Sequence, residues 1–463
     1  MRLALRIGLL PLYLKLYDDV SPALRQQVAG FCEVLTSGFG NLGLEVVSSG
    51  ICRIEPEFSA AVDQFTRQDV DAVVSVHLAY SPSLEALQPL LSCRIPLILL
   101  DTTPDYAFGP HQAAEKISVN HGIHGVQDLC SMLVRNRRAF WIEAGHWQRS
   151  DVLQRVVDRV RAIAAARSLN GMKVGIIGEP FKGMGDFQVD AAVLERDVGV
   201  RTIGFSQPVL RPSSDAELTR EAEYLASIGA IDDMPDEVLR ANLAISRGLR
   251  SWIEDEQLAG FTCNFLHVTR DSVIDRMPFL FASVAMYEGL GYAGEGDVLT
   301  ASLVAALLRL NRETSFTEMF CPDWEGGTVF LSHMGEINPR VCEPHASFRV
   351  KEYHYSDADQ PVYTTGQFKA GQAHIVNLAA LNDEQFRLII APVDVVHHPE
   401  SSFSLSVHGW IRPEPPLARF LEQYSLLGGT HHSALVYGER TETLRTFGTT
   451  LGWDVQVISQ QSI

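Results

Sequence analysis

Across the first third of this chain, short, mostly apolar runs alternate with amphipathic stretches. The runs fall at 5–12, 44–47, 71–76, 96–100 and 139–142, and the helix-like stretches between them at 22–36, 58–66 and 84–91. A strand that is apolar on both faces must be covered on both faces. Helices that cross over between parallel strands do this. The pattern therefore predicts a parallel sheet wound with helices on either side. At 151–167, Val152, Val156, Val160 and Ile163 share one helical face, and Asn170-Gly171 is a stop signal.

The rhythm restarts at Met172. Strands are predicted at 174–177, 202–205 and 262–265, helices at 236–255 and 299–312, and a Gly/Pro-rich loop at 178–185. That loop reads GEPFKGMG. No Gly-Lys-Ser/Thr follows, so it is not a Walker A loop, and it does not fit the dinucleotide fingerprint. Beyond about 313 the pattern changes to strand-like pieces separated by turn signals, at 328–331, 348–354, 362–368, 373–379, 386–395 and 402–407. A helix at 442–449 and a strand at 454–458 close the chain. The expected fold is α/β: two doubly wound parallel-sheet domains at 1–171 and 172–313, then an antiparallel β-rich domain at 314–463. The length, 463 residues, has room for about three domains.

Residues 1–14 have some likeness to a weak export signal, but Arg6 and Lys15 interrupt the apolar character. They are read as a buried first strand. No apolar run approaches the roughly 18–20 residues that span a bilayer. With 38 Lys+Arg against 56 Asp+Glu, the formal charge is −18. Such a chain repels phosphate backbones and anionic lipid, so neither nucleic acid nor membrane is expected as a partner. Seven cysteines are scattered without a Cys-x-x-Cys, which suits reduced thiols in the cytoplasm.

Four motifs gather carboxylates and imidazoles: Gly294-Glu295-Gly296-Asp297, Thr314-Ser315-Phe316-Thr317-Glu318, Ser332-His333-Met334 and Gly428-Gly429-Thr430-His431-His432. Each has an ordinary structural reading. Glu295 suits a solvated loop, Glu318 a helix cap or an exposed position, and His333 a core histidine. Asp297 suits the cap of the helix that opens near Leu299. Together, two carboxylates and two imidazoles form a mixed O/N donor set. Such a set suits Mn²⁺, with Co²⁺, Fe²⁺ or Zn²⁺ as alternatives. A structural zinc site would use closely spaced cysteines instead.

In order and spacing, EGDVLTA (295–301), TSFTE (314–318), SHMGE (332–336) and GGTHHS (428–433) resemble the L-arabinose isomerase family, within the wider L-arabinose/L-fucose isomerase group. Asn120-His121-Gly122-Ile123-His124-Gly125 and Gly145-His146-Trp147 extend the likeness upstream. The resemblance implies a barrel-like C-terminal domain and a divalent metal, Mn²⁺ by preference. It assigns the metal ligands to Glu295, Glu318, His333 and His432, with His432 chosen over His431. It implies that Glu295 and Glu318 are the catalytic acid–base pair of an aldose–ketose isomerisation through a cis-enediol, with a metal-assisted hydride shift as the rival chemistry. It also implies a sugar-facing set of Tyr13, His121, His124, Met184 and His431, a monosaccharide substrate, and a homo-oligomer, trimeric or hexameric. The alternatives are another metal-dependent sugar enzyme, an epimerase or hydrolase, and a non-catalytic sugar-binding protein.

The departures fall near substrate-facing positions. The family's Ser-Gln-His-Leu-Tyr-Gly segment is Leu10-Pro11-Leu12-Tyr13-Leu14-Lys15 here, its Gln is His121, and its Trp-Lys is Val298-Leu299. Sugar hydroxyls are read by hydrogen bonds, so such changes imply a sugar other than L-arabinose.

Overall fold

The structure is a computed structural model describing residues 5–382, 385–398 and 401–460; residues 1–4 of the apolar opening segment lie outside the described residues. The chain divides into two compact units, Met1–Ala164 and Ala165–Ile463.

In the first unit, β1 (Arg6–Leu12), β2 (Glu45–Ser48), β3 (Ala72–His77), β4 (Leu97–Asp101) and β5 (Trp141–Ala144) form one parallel sheet in the order β2-β1-β3-β4-β5. Side chains alternate faces along a strand, so each face builds its own core. Ile7, Leu9, Val74 and Ile98 pack with residues of the helix Pro22–Asn41. Leu10, Leu12, Val73 and Leu99 pack with residues of Glu55–Arg67, Ser83–Ser92 and Gly122–Arg135. Pro11 is tolerated in a central strand because the pairing with β2 ends at Leu9↔Ser48.

The second unit opens with a parallel sheet of β6 (Met172–Ile177), β7 (Val200–Gly204), β9 (Gly260–Cys263) and β10 (Gly291–Gly294), in the order β10-β9-β6-β7. The short β8 (Gly229–Ile231) lies apart from this sheet and pairs in parallel with β13 (Cys342–Val350). Beyond them run β11 (Thr314–Asp323), β12 (Thr328–Ser332), β14 (Val362–Phe368), β15 (Gly371–Ala380), β16 (Phe386–Val396), β17 (Val407–Pro413), β18 (His432–Tyr437) and β19 (Asp454–Val457). The succession β16-β15-β18-β11-β12-β17 closes through a β16–β17 pairing, and every pair in it is antiparallel. Closure makes this a six-stranded barrel and removes its free edges. The fold is thus α/β, with two parallel sheets followed by an antiparallel barrel.

Two strands shift from their predicted places. The strand predicted at 402–407 is β17, beginning only at Val407, where pairing to Gly366 starts. The Ser/Phe/Leu alternation before it imitates a strand but forms a turn, with Ser406 N donating to Phe403 O. The strand predicted at 348–354 is the end of β13 and stops at Val350. No helix among the described residues is long and apolar enough to cross a membrane, and all seven cysteines are free.

The helix Val298–Leu310 is buried almost all round because it packs against β6, β9 and β10 on one side and β11, β15 and β18 on the other. It joins parallel sheet to barrel, and the residues at its N-terminus form part of the site.

Candidate metal centre

Just after β10 the backbone turns through two left-handed residues, Glu295 (φ 62) and Gly296 (φ 86). A Cβ on Gly296 would stand 2.6 Å from Pro180 Cα, so the turn requires glycine there. A left-handed glutamate costs about 1–3 kcal/mol and persists only where its surroundings hold it. Here its N–H donates to Cys263 O at 2.9 Å and its carbonyl accepts from Phe181 N at 2.9 Å. Asp297 caps the next helix as the sequence predicts, with Oδ1 accepting from Thr300 N at 2.8 Å. Its other oxygen, Oδ2, meets His432 Nδ1 at 2.9 Å.

The barrel supplies the other side of the site. Antiparallel register sets Glu318 of β11 opposite His432 of β18 on one flank and Ser332 of β12 on the other. His333 follows Ser332 directly. Glu318 Oε1 lies 2.8 Å from His432 Nε2 and 3.3 Å from His333 Nε2, and Glu295 Oε2 lies 3.5 Å from His432 Nε2. His432 Nε2 and Glu295 Oε2 are buried, and neither has a hydrogen-bond partner. Carboxylate and imidazole atoms are thus gathered in one small volume, as ligand atoms around a cation are.

Outer carboxylates orient the rings. Glu336, fully buried, brings Oε1 to 2.8 Å from His333 Nδ1 and accepts from Gly335 N with Oε2. Asp297 does the same for His432, leaving Nε2 of each ring directed at Glu318. Carboxylate behind imidazole is the usual second layer of a metal site.

The electrostatics are strongly coupled. Burial favours neutral Glu295, but its contacts with His431 and His432 win and lower its pKa to about 2. Glu318 is likewise lowered, by His333 and His432 against the effect of burial. Burial opposes charge on His333, yet Glu336 and Glu318 raise it to about 10. His432 is raised well above its ordinary value by Asp297, Glu295 and Glu318, again against burial. Among the described residues no Lys or Arg pairs with Glu295, Asp297, Glu318, Glu336 or Asp186. Even with all three imidazoles protonated, the five carboxylates leave two negative charges uncompensated. That imbalance fits a divalent cation.

Of the four residues chosen from sequence as ligands, Glu295, Glu318 and His432 fall in one tight group, and that group takes in His431 and not His333, whose Nε2 stands 3.3 Å from Glu318 Oε1. The four groups whose donor atoms all fall within 4.8 Å of one another are Glu295, Glu318, His431 and His432. His431 Nε2 is 3.7 Å from Glu295 Oε2, and its Nδ1 is 2.6 Å from Asp186 Oδ2. Met184 lies in the loop of Asp186, half-buried, with its N–H on Phe181 O. Sequence reasoning missed Asp186, Phe187 and Glu336. Glu336 stood inside the quoted SHMGE motif, whereas Asp186 meets its partner across 245 positions of chain and left no local signal.

Tyr13, His121 and His124 belong to the first unit, at the carboxyl edge of its sheet. Tyr13 follows β1. His121 precedes the helix Gly122–Arg135, and its ring is 4.5 Å from that of His124. Strand order reverses beside β1 and β3, and open α/β sheets bind ligands at such a point. Several buried polar atoms there lack partners: Tyr13 Oη, Ser75 Oγ, His77 Nε2, Ser81 Oγ and His121 Nδ1. Gly145-His146-Trp147 makes local structural contacts: Gln148 N and Arg149 N donate to His146 Nδ1, and Trp147 packs edge-on against Phe31.

A parallel-sheet unit, a closed barrel and a carboxylate–imidazole cluster at their junction define a class, and comparison with known proteins places the chain within it. Residues 219–313 match the L-arabinose isomerase central domain and residues 313–454 the L-arabinose isomerase C-terminal domain, adjoining matches that together take in half of the chain. The chain belongs to the L-arabinose isomerase family and with it to the isomerases. It is 25% identical over 405 residues to the L-arabinose isomerase of Anoxybacillus flavithermus, covering 83% of this chain and 79% of that one. It is 26% identical over 413 residues to that of Geobacillus kaustophilus (84% and 81%) and 25% identical over 472 residues to that of Shewanella baltica (95% and 92%). A periplasmic sugar-binding protein of a Legionella pneumophila ABC sugar transporter aligns over 66% of this chain and 94% of its own at 9% identity, with a TM-score of 0.15, too loose to carry an argument.

Proposed function

We propose that this chain is a divalent-metal-dependent aldose–ketose isomerase acting on a monosaccharide. The observation that carries this reading is the convergence of Glu295, Glu318 and His432 within 4.8 Å at the junction of sheet and barrel. Glu295, Glu318, His333 and His432 are the ligands in this reading, and Mn²⁺ is the preferred ion for such an O/N set. His432 is favoured over His431 because its ring is buried and backed by Asp297, while His431 is half-exposed. When bound, the cation supplies Lewis-acid stabilisation of negative charge on two adjacent sugar oxygens.

The chain's own groups handle the protons. Glu295 and Glu318 are ionised at neutral pH, the form a proton acceptor needs. One takes the proton from C2 while the C–H electron pair forms the C1=C2 bond and the C1=O pair moves to O1, which then takes that proton to complete the cis-enediol. The other takes the O2 proton as the ketone forms at C2 and returns it to C1, so both glutamates end ionised. Met184 and His431 face the sugar beside the ion. Tyr13, His121 and His124 of the first unit belong to the sugar-facing set in this reading, supported by the unpartnered Tyr13 Oη and His121 Nδ1. Residues 1–171, 172–313 and 314–463 are three domains in this reading, and the enzyme is a cytoplasmic homo-oligomer, trimeric or hexameric.

The test is Glu295→Gln and Glu318→Gln, assayed against a panel of aldoses and ketoses with Mn²⁺. Each should lower turnover by about 10²–10⁴-fold, the usual worth of general acid–base transfer, with circular dichroism unchanged. Wild-type turnover in both variants rejects the assignment. Deuterium from solvent appearing in the product supports the enediol, and its absence supports a hydride shift.

A further inference from the structure

We propose that Asp186 is the positioning residue of His431, and that the loop at 178–189 exists to grip the His431-His432 pair. This rests on the isomerase reading of the site. The loop matches no phosphate-binding fingerprint, and its contacts give it another role.

One carboxylate oxygen does two jobs. Asp186 Oδ2 accepts from His431 N at 3.1 Å and lies 2.6 Å from His431 Nδ1. A single acceptor holding both backbone and ring fixes the side chain in one rotamer, with Nδ1–H as donor. Nε2 is then turned toward Glu295, 3.7 Å away, on the open side of the cluster. The next residue grips the next histidine: the Phe187 ring lies face-on to His432, with centroids 4.9 Å apart and planes 8° from parallel. Residues 186 and 187 thus clamp residues 431 and 432, one by charge and one by stacking.

The clamp is itself anchored. Phe181 N donates to Glu295 O, Gln188 Nε2 to Phe181 O at 2.7 Å, and Asn264 Nδ2 to Glu179 O at 2.7 Å. The loop therefore ties the left-handed glutamate to the histidine pair. The two histidines are equivalent in sequence but not in role. His432 is held from within by Asp297 for the ion. His431 is held by Asp186 with its outer nitrogen presented to a substrate oxygen.

The experiment compares Asp186→Ala, Asp186→Asn, His431→Gln and the double variant Asp186→Ala/His431→Gln in the full-length protein. Asp186→Ala is expected to lower kcat/KM by about 10–100-fold, the range for an outer partner of a site residue. Mn²⁺ affinity by calorimetry should stay unchanged. Asp186→Asn, which keeps the acceptor oxygen, should recover part of the loss. In the His431→Gln background Asp186→Ala should add nothing, because its effect passes through that ring. A crystal structure of Asp186→Ala should show the His431 ring turned out of its orientation toward Glu295. Additive losses in the double variant, or an unmoved ring, overturn the proposal. If the wild type isomerises no sugar, the functional reading fails, while ring orientation and Mn²⁺ titration still decide the role of Asp186.

Discussion

Two of the buried polar clusters among the described residues are built on opposite principles. At the junction of sheet and barrel, charged groups answer one another: Glu318 with His333 and His432, Asp297 with His432, Glu336 with His333. At the carboxyl edge of the first sheet, the buried groups are neutral and unanswered. Tyr13 Oη, Ser75 Oγ, Ser81 Oγ and His77 Nε2 have no partner, and burial lowers the pKa of His77 to about 3. A charged cluster can survive burial only when its charges are paired, and it then serves as a fixed cage for an ion. Neutral hydroxyls and imidazoles carry a smaller desolvation cost, so they can await a partner of their own kind. In the proposed function the first kind of cluster would suit a cation and the second a polyol.

The sharpest way to break that contrast is pH. His333 and His432 have raised pKa values, so both are protonated in the metal-free protein at neutral pH, while Glu295 and Glu318 are already ionised. If these two imidazoles hold the proposed Mn²⁺ they must be neutral, so its binding should expel two protons. Affinity should therefore rise with pH, by about 10²-fold per unit between pH 6 and 8. Calorimetry in buffers of different ionisation enthalpy measures the proton count directly. A flat profile would remove the charged cage from the account.

A smaller effect is expected at the first cluster from packing. A Cβ on Gly125 would stand 2.2 Å from His77 Cδ2, since the helix Gly122–Arg135 lies hard against the end of β3. Gly125→Ala should destabilise the protein by about 1–3 kcal/mol despite the better helix propensity of alanine. Denaturant unfolding reads this, and Mn²⁺ affinity should not change. Equal or higher stability would show that the helix can shift and that this edge is not rigid.

The smallest effect separates stability from binding. Tyr13→Phe deletes a buried hydroxyl without a partner, so stability should hold or rise by up to about 1 kcal/mol. If that hydroxyl meets a sugar, KM should rise by about tenfold, the worth of one hydrogen bond. Unchanged KM on the best substrate would take Tyr13 out of the sugar-facing set.

The sequence by itself determined the class of the fold. Runs such as 71–76, largely apolar, short and rich in valine, read as strands covered on both faces, and they reappear as β3 and its neighbours. Motif order also marked Glu295, Glu318, His333 and His432, because those residue types beside glycine and small polar residues leave a trace in one dimension. The tertiary structure decided the rest. The strand character of 314–323 and 432–437 was hidden beneath motif residues, and it is their antiparallel register that faces Glu318 with His432. That Asp297 both caps a helix and orients a ring follows from where β18 lies. The bond from Asp186 to His431 exists only because folding closes a loop of 245 residues. Periodicity records what a segment buries, whereas contacts between distant segments depend on register and closure, which no single segment encodes.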